Sequence, residues 1–187
     1  MLALFLLPRG LFIPITFVAT SLMVATAYAS GAPKRPAGLG RNLLVGVASA
    51  LLLYLVFYLG NAGLWVLKPL GLDPSYQSSI YSLIASPSNP LSLQLAVLLF
   101  DAAGYEAFFR GFMQKRLEAR LGTAAAPAVA LVDAGLHLAT FNPLWVATTF
   151  VADLFWGLTF KYGRGATASF TSHLLWDVAI FVIRPIV

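Results

Sequence analysis

LQLAVLLFDAAGYEAFFRGFM, residues 93–113, is the stretch on which the fold turns. A bilayer-spanning helix needs about 20 mainly apolar residues, and this run supplies them without a proline. It also carries Asp101, Glu106 and Arg110. A charged side chain at the bilayer centre costs about 2.5–3.5 kcal/mol even on the lenient insertion scale. These three residues must therefore face the inside of a bundle rather than lipid.

Working outward, comparable apolar runs occupy 10–30, 42–67, 123–141, 144–162 and 167–186. The runs are continuously apolar and too long for the alternating strands of a membrane barrel, so helices are the spanning element. The chain is 59% hydrophobic and 10% charged over 187 residues, with a mean hydropathy of +0.83. A soluble domain carries about a quarter charged residues, so water is not the solvent for most of this surface. The expectation is an all-α, polytopic membrane protein: a single domain, 1–187, of about six transmembrane helices around an intramembrane polar cavity. Ala27-Tyr28-Ala29 resembles a signal-peptide cleavage site. The first apolar run exceeds a usual signal core, and Arg9 is its only charge, so it reads as a membrane helix.

The net charge of +5 and isoelectric point of about 9.7 do not indicate nucleic acid. Lys34, Arg35, Arg41, Lys115, Arg116, Arg120, Lys161 and Arg164 fall in one set of connections, with only Arg9, Lys68 and Arg184 opposite. The positive-inside rule makes the first set, loops 31–41, 114–122 and 161–165, cytoplasmic. The outer connection 68–90, rich in Ser and Pro, is expected to hold a short interfacial helix near 79–84. The basic stretch QKRLEARL, 114–121, reads as a headgroup-level anchor rather than a binding patch. There is no cysteine, which removes thiolate chemistry and disulfides.

Of seven acidic residues, five (Asp101, Glu106, Asp133, Asp153, Asp177) lie in the predicted spans, with both histidines, His137 and His173. Asp101/Tyr105, Glu106/Arg110, Asp133/His137 and His173/Asp177 are each four apart, so each pair shares a helical face. Glu106/Arg110 alone reads equally as a self-neutralising ion pair. Asp153 has no histidine or basic partner at helical spacing and reads as polar glue between helices. Trp145, Trp156 and Trp176 read as packing or interfacial residues. Two histidines, each one turn from an Asp, shift the balance toward chemistry.

Three motifs carry a resemblance. Tyr105-Glu106-Ala107-Phe108-Phe109-Arg110-Gly111 is similar to an EExxxRG motif, Asp133 through His137 to FxxxH, and His173 through Asp177 to HxxxN or HxxxD. In that order, within membrane helices, they resemble the CPBP family of intramembrane proteases, which includes the CAAX prenyl-protein endopeptidases and bacteriocin-processing or self-immunity proteins. The similarity covers roughly 91–182. Two positions depart from it: Tyr105 stands where the family has the first Glu, and Asp133 where it has Phe.

The resemblance implies an endopeptidase that hydrolyses a peptide bond near the membrane with Glu/His-activated water. Its substrate would be a peptide or a lipidated protein, and its setting the lipid bilayer. Carried over, Glu106 with His137 forms the base pair, His173 and Asp177 hold the oxyanion or orient water, and Arg110 braces Glu106. That brace would also make Glu106 a poorer base, leaving Asp101 or Asp133 as substitutes. No cofactor is expected. A metal variant would use His137, His173 and Glu106 around a divalent ion such as zinc, although no HExxH helix is present. Two other classes are a noncatalytic family member (an adaptor or immunity protein), favoured by Tyr105, and a small proton-coupled transporter. The second would need a homo-oligomer to restore the missing size, since no repeated halves are evident.

Overall fold

A computed structural model of the chain describes residues 11–31, 38–70, 75–84, 89–163 and 165–186. Arg9, Lys34, Arg35 and Arg164, and parts of the loops that hold them, lie outside the described residues. The described residues are helical almost throughout, with no strand among them. The helices are α1 (Phe12–Ala29), α2 (Leu39–Leu67), α3 (Ser75–Ile84), α4 (Leu91–Tyr105), α5 (Lys115–Leu121), α6 (Ala125–His137), α7 (Pro143–Gly163) and α8 (Ala166–Val178). A π-helical segment, Glu106–Gln114, joins α4 to α5, and a second, Ala179–Ile183, extends α8.

The chain is an integral membrane protein. Four helical runs are long and apolar enough to cross a bilayer: Leu39–Leu64, Leu91–Thr140, Pro143–Gly163 and Ala166–Ile183. Ile13–Ala29 is a shorter apolar helix. Apolar side chains such as Val66 and Ile183 are 78% and 75% exposed, the arrangement that lipid rather than water rewards. A straight helix over the 50 residues Leu91–Thr140 would reach about 75 Å, more than twice the hydrocarbon thickness. Gly122 prevents this. Its φ of +54° is a conformation L side chains rarely adopt. The chain reverses there, and α6 returns along the π segment with Val129 packed on Phe109 and Asp133 opposite Tyr105. The six expected apolar segments are thus all helical. The segment expected over 123–141 is shorter as an α-helix, because Leu138–Thr140 tightens into a 3₁₀ turn and Phe141 is left-handed.

α8 packs against α2, α7 and α4. Gly46 on α2 makes the α8 contact close: a Cβ there would sit 2.6 Å from Thr171 Cβ and 2.7 Å from the Ala168 carbonyl oxygen. Small residues at such crossings are how membrane helices approach without a hydrophobic driving force. α1 packs on α4 with Phe17 against Phe100, ring centroids 5.0 Å apart. α3 includes the expected interfacial helix and begins four residues earlier. Asn142 Nδ2 donates to Tyr76 O (3.1 Å) and Ser79 Oγ (2.9 Å), while Gln77 Nε2 donates to Asn61 Oδ1 (2.7 Å) and Ile186 O (3.1 Å). These bonds seat α3 across the ends of α2, α7 and the chain after α8.

Candidate active site

The segment from Asp101 to Gln114 sends neighbouring side chains to different helices, because successive residues on a helix point about 100° apart. Tyr105 donates its hydroxyl to Asp133 on α6. Glu106 accepts from His173 Nδ1 on α8 at 3.0 Å. Arg110 pairs with Asp153 on α7. Gln114 Nε2 donates to the Gly157 carbonyl on α7 at 2.9 Å, and its Oε1 accepts from Arg110 Nη1 at 3.2 Å. Polar groups in a bilayer interior must find partners inside the protein, and here one segment meets four helices, α1 through Asp101 and Thr20 among them.

The centre of the cluster is His173. Its Nδ1 faces Glu106, and its Nε2 stands 3.4 Å from Asp177 Oδ2. With Nδ1–H donating to Glu106, the Nε2 edge is the one turned toward Asp177. Trp156 stacks on the ring, with centroids 3.6 Å apart and planes 13° from parallel, and Tyr105 meets it edge-on at 5.4 Å. Both rotation and tilt of the imidazole are therefore fixed.

A cavity of about 430 Å³ reaches this point from beneath α3. Its inner wall includes Asp101, Tyr105, His137, His173 and Asp177, and much of the remainder is apolar or aromatic, including Phe57, Ile80, Trp145, Trp156 and Trp176. The expected polar cavity is thus an apolar cavity with a polar inner end. Glu106, Arg110, Asp133 and Asp153 stand off its wall. Glu106 therefore reaches the cavity through His173.

Several expected pairings change once partners across helices are visible. The structure gives Glu106 to His173, whereas the sequence set it with His137. His137 instead places Nδ1 3.0 Å from the Asp133 carbonyl oxygen and 3.7 Å from its carboxylate, with its ring 5.7 Å from Trp145. Arg110 keeps Glu106 only at 3.6 Å, too long for a hydrogen bond, and its main partner is Asp153. Asp153 does bind helices together, but as the counterion of a buried guanidinium. Tyr105 turns to Asp133 rather than to Asp101 one turn away. Asp101 Oδ1 accepts from Thr20 Oγ1 on α1 at 3.2 Å.

Sequence reasoning missed Trp156, Thr20 and Gln114 as members of this network. Trp156 sits three residues after Asp153, on the same face of α7, which is the signal that would have found it. Thr20 and Gln114 carry no such signal. Among the described residues, no group of three or more His, Asp or Glu side chains is gathered as a cation would require.

Residues 87–179 match the family model described as type II CAAX prenyl endopeptidase Rce1-like. That stretch is about half of the chain and holds every ionisable residue of the cluster. No curated protein and no solved structure matches the chain.

Proposed function

Since residues 87–179 belong to the type II CAAX prenyl endopeptidase Rce1-like family, we propose that this chain is an intramembrane endopeptidase acting at the Glu106–His173–Asp177 site. One observation carries the reading: a buried carboxylate, Glu106, holds the imidazole of His173 at 3.0 Å, on the inner wall of a cavity that runs in from α3.

Hydrolysis needs an oriented water, donors for the developing oxyanion and a proton for the leaving amine. His173, clamped by Glu106 and Trp156, presents its Nε2 edge beside Asp177, where a water or an oxyanion would sit. Glu106 is a positioning residue that acts through this ring. His137, on the same wall, is the second imidazole that faces a bound peptide. Water attacks the carbonyl carbon, the C–N bond breaks, and the water's proton ends on the amine. The apolar remainder of the cavity suits a peptide that enters from the bilayer, including one bearing a lipid chain.

Arg41, Lys115, Arg116, Arg120 and Lys161 give the basic end of the bundle, which the positive-inside rule makes cytoplasmic. The α3 end of the cavity then faces the opposite side. A noncatalytic role for the same fold is favoured by one observation, the commitment of Tyr105 to Asp133.

The test is cleavage of a peptide and prenylated-peptide library by the purified protein in proteoliposomes. Turnover is expected in the wild type and lost in His173→Ala. Glu106→Gln should lower kcat with the melting temperature and KM little changed. Cleavage unaffected by both substitutions would overturn the site. No cleavage by folded wild-type protein would favour the noncatalytic role.

A further inference from the structure

The motif that this chain resembles has a Glu where Tyr105 stands, so the site described above is one carboxylate short of that motif. Two carboxylates lie near enough in sequence to replace it, Asp101 on α4 and Asp133 on α6. The geometry separates them. Asp133 has no exposed surface, stands off the cavity wall, and is capped by the Tyr105 hydroxyl. Water in the cavity meets Tyr105 before it could meet Asp133. Asp101 is only partly buried and lies on the wall itself, together with His173 and Asp177.

We infer that Asp101 is the carboxylate that takes the proton from the attacking water, in place of the missing motif Glu. This rests on the endopeptidase reading of the site. Asp101 is one helical turn before Tyr105, so it shares the face on which the motif Glu would stand. Its orientation is built by a second helix. Thr20 on α1, itself buried, donates to Oδ1 at 3.2 Å. Gly104 admits Thr20 to that position: a Cβ at 104 would overlap the Thr20 methyl and lie 3.1 Å from its carbonyl oxygen. One oxygen of the carboxylate is thus held by Thr20 while the side chain borders the cavity.

In the step assigned to it, Asp101 accepts one proton as the water oxygen bonds to the carbonyl carbon. It then returns that proton to the leaving nitrogen as the C–N bond breaks. The products are a new carboxyl and a new amine, with Asp101 regenerated. If Asp101 were only an interhelical fastener, its hydrogen bond to Thr20 would matter and its charge would not.

Asp101→Asn keeps the shape and an acceptor for Thr20 while removing the base. In proteoliposomes its kcat is expected to fall at least about a hundredfold, the lower end of what a general base contributes, with the melting temperature unchanged. Placing Tyr105→Glu and Asp133→Phe together in the Asp101→Asn background restores both motif positions and is expected to recover at least tenfold of the loss. Should Asp101→Asn fail to fold, Thr20→Val serves as the second variant, expected to lower kcat about five- to tenfold at constant KM. An unchanged kcat for Thr20→Val would overturn the inference. Asp101→Asn retaining more than half of wild-type turnover, while His173→Ala has none, would overturn the inference and leave the endopeptidase reading standing. An inactive wild type would remove that reading itself.

Discussion

Removing the charge at Asp153 should unsettle this bundle more than any other single isosteric change. Arg110 and Asp153 both have no exposed side-chain surface, and they face each other across two helices. Breaking a buried ion pair by deleting one partner costs about 3–5 kcal/mol, because the other charge is left without compensation. In Asp153→Asn the amide oxygen can still accept from the guanidinium, and Glu106 Oε2 lies 3.6 Å from Arg110 Nε. Both effects soften the loss, so about 3 kcal/mol is expected. Equilibrium unfolding in mixed micelles with a rising fraction of sodium dodecyl sulfate measures it, with helicity and tryptophan fluorescence as paired probes. The companion variant, Arg110→Met with Asp153→Leu, replaces the pair by apolar groups and should recover at least half of the loss, since a buried pair exchanged for packing is often neutral. A loss below about 1 kcal/mol for Asp153→Asn would refute the reasoning, because it would mean that water or Glu106 already neutralises Arg110.

Three further outcomes follow from close contacts. Gly46→Ala places a methyl against Thr171 and the Ala168 carbonyl and should destabilise the α2–α8 contact by about 1–3 kcal/mol. Gly60→Ala, whose Cβ would meet nothing within 4 Å, serves as the neutral control in the same unfolding titration. Asn142→Ala removes both bonds to α3 and the side-chain cap on Trp145 N at the start of α7, so hydrogen exchange of the 75–84 amides should quicken and the bundle should lose about 1 kcal/mol. Trp156→Phe shrinks the surface stacked on His173 and should lower kcat several-fold with little change in KM; equal turnover would show that the stacking does not position the ring.

The helices were legible because length and continuous hydropathy are properties of the chain alone. The buried charges were legible too, since a bilayer makes each of them conspicuous. Partners were legible only within a helix. His173 and Asp177 are four apart and do meet, but Arg110 and Asp153 are 43 positions apart, and no spacing rule joins them. The same limit hid the Glu106–His173 bond and steered Glu106 toward Arg110. The π-helical course of Glu106–Gln114 was invisible because its apolar pattern reads equally as an α-helix. Position on the cavity wall, which separates Asp101 from Asp133, depends on how α1, α4 and α6 pack together and has no one-dimensional signature. Tyr105 was the informative departure: the sequence marked it as a missing base, and the structure shows where its hydroxyl goes.

The most direct test of the account is hydrolysis of a membrane-inserted peptide by reconstituted protein in ¹⁸O-labelled water, read by mass spectrometry of both fragments. The wild type is predicted to place one labelled oxygen in the new C-terminal carboxyl, and His173→Asn, folded and equally reconstituted, to give no fragment. Labelled product from His173→Asn at the wild-type rate would contradict a hydrolytic site built on Glu106, His173 and Asp177.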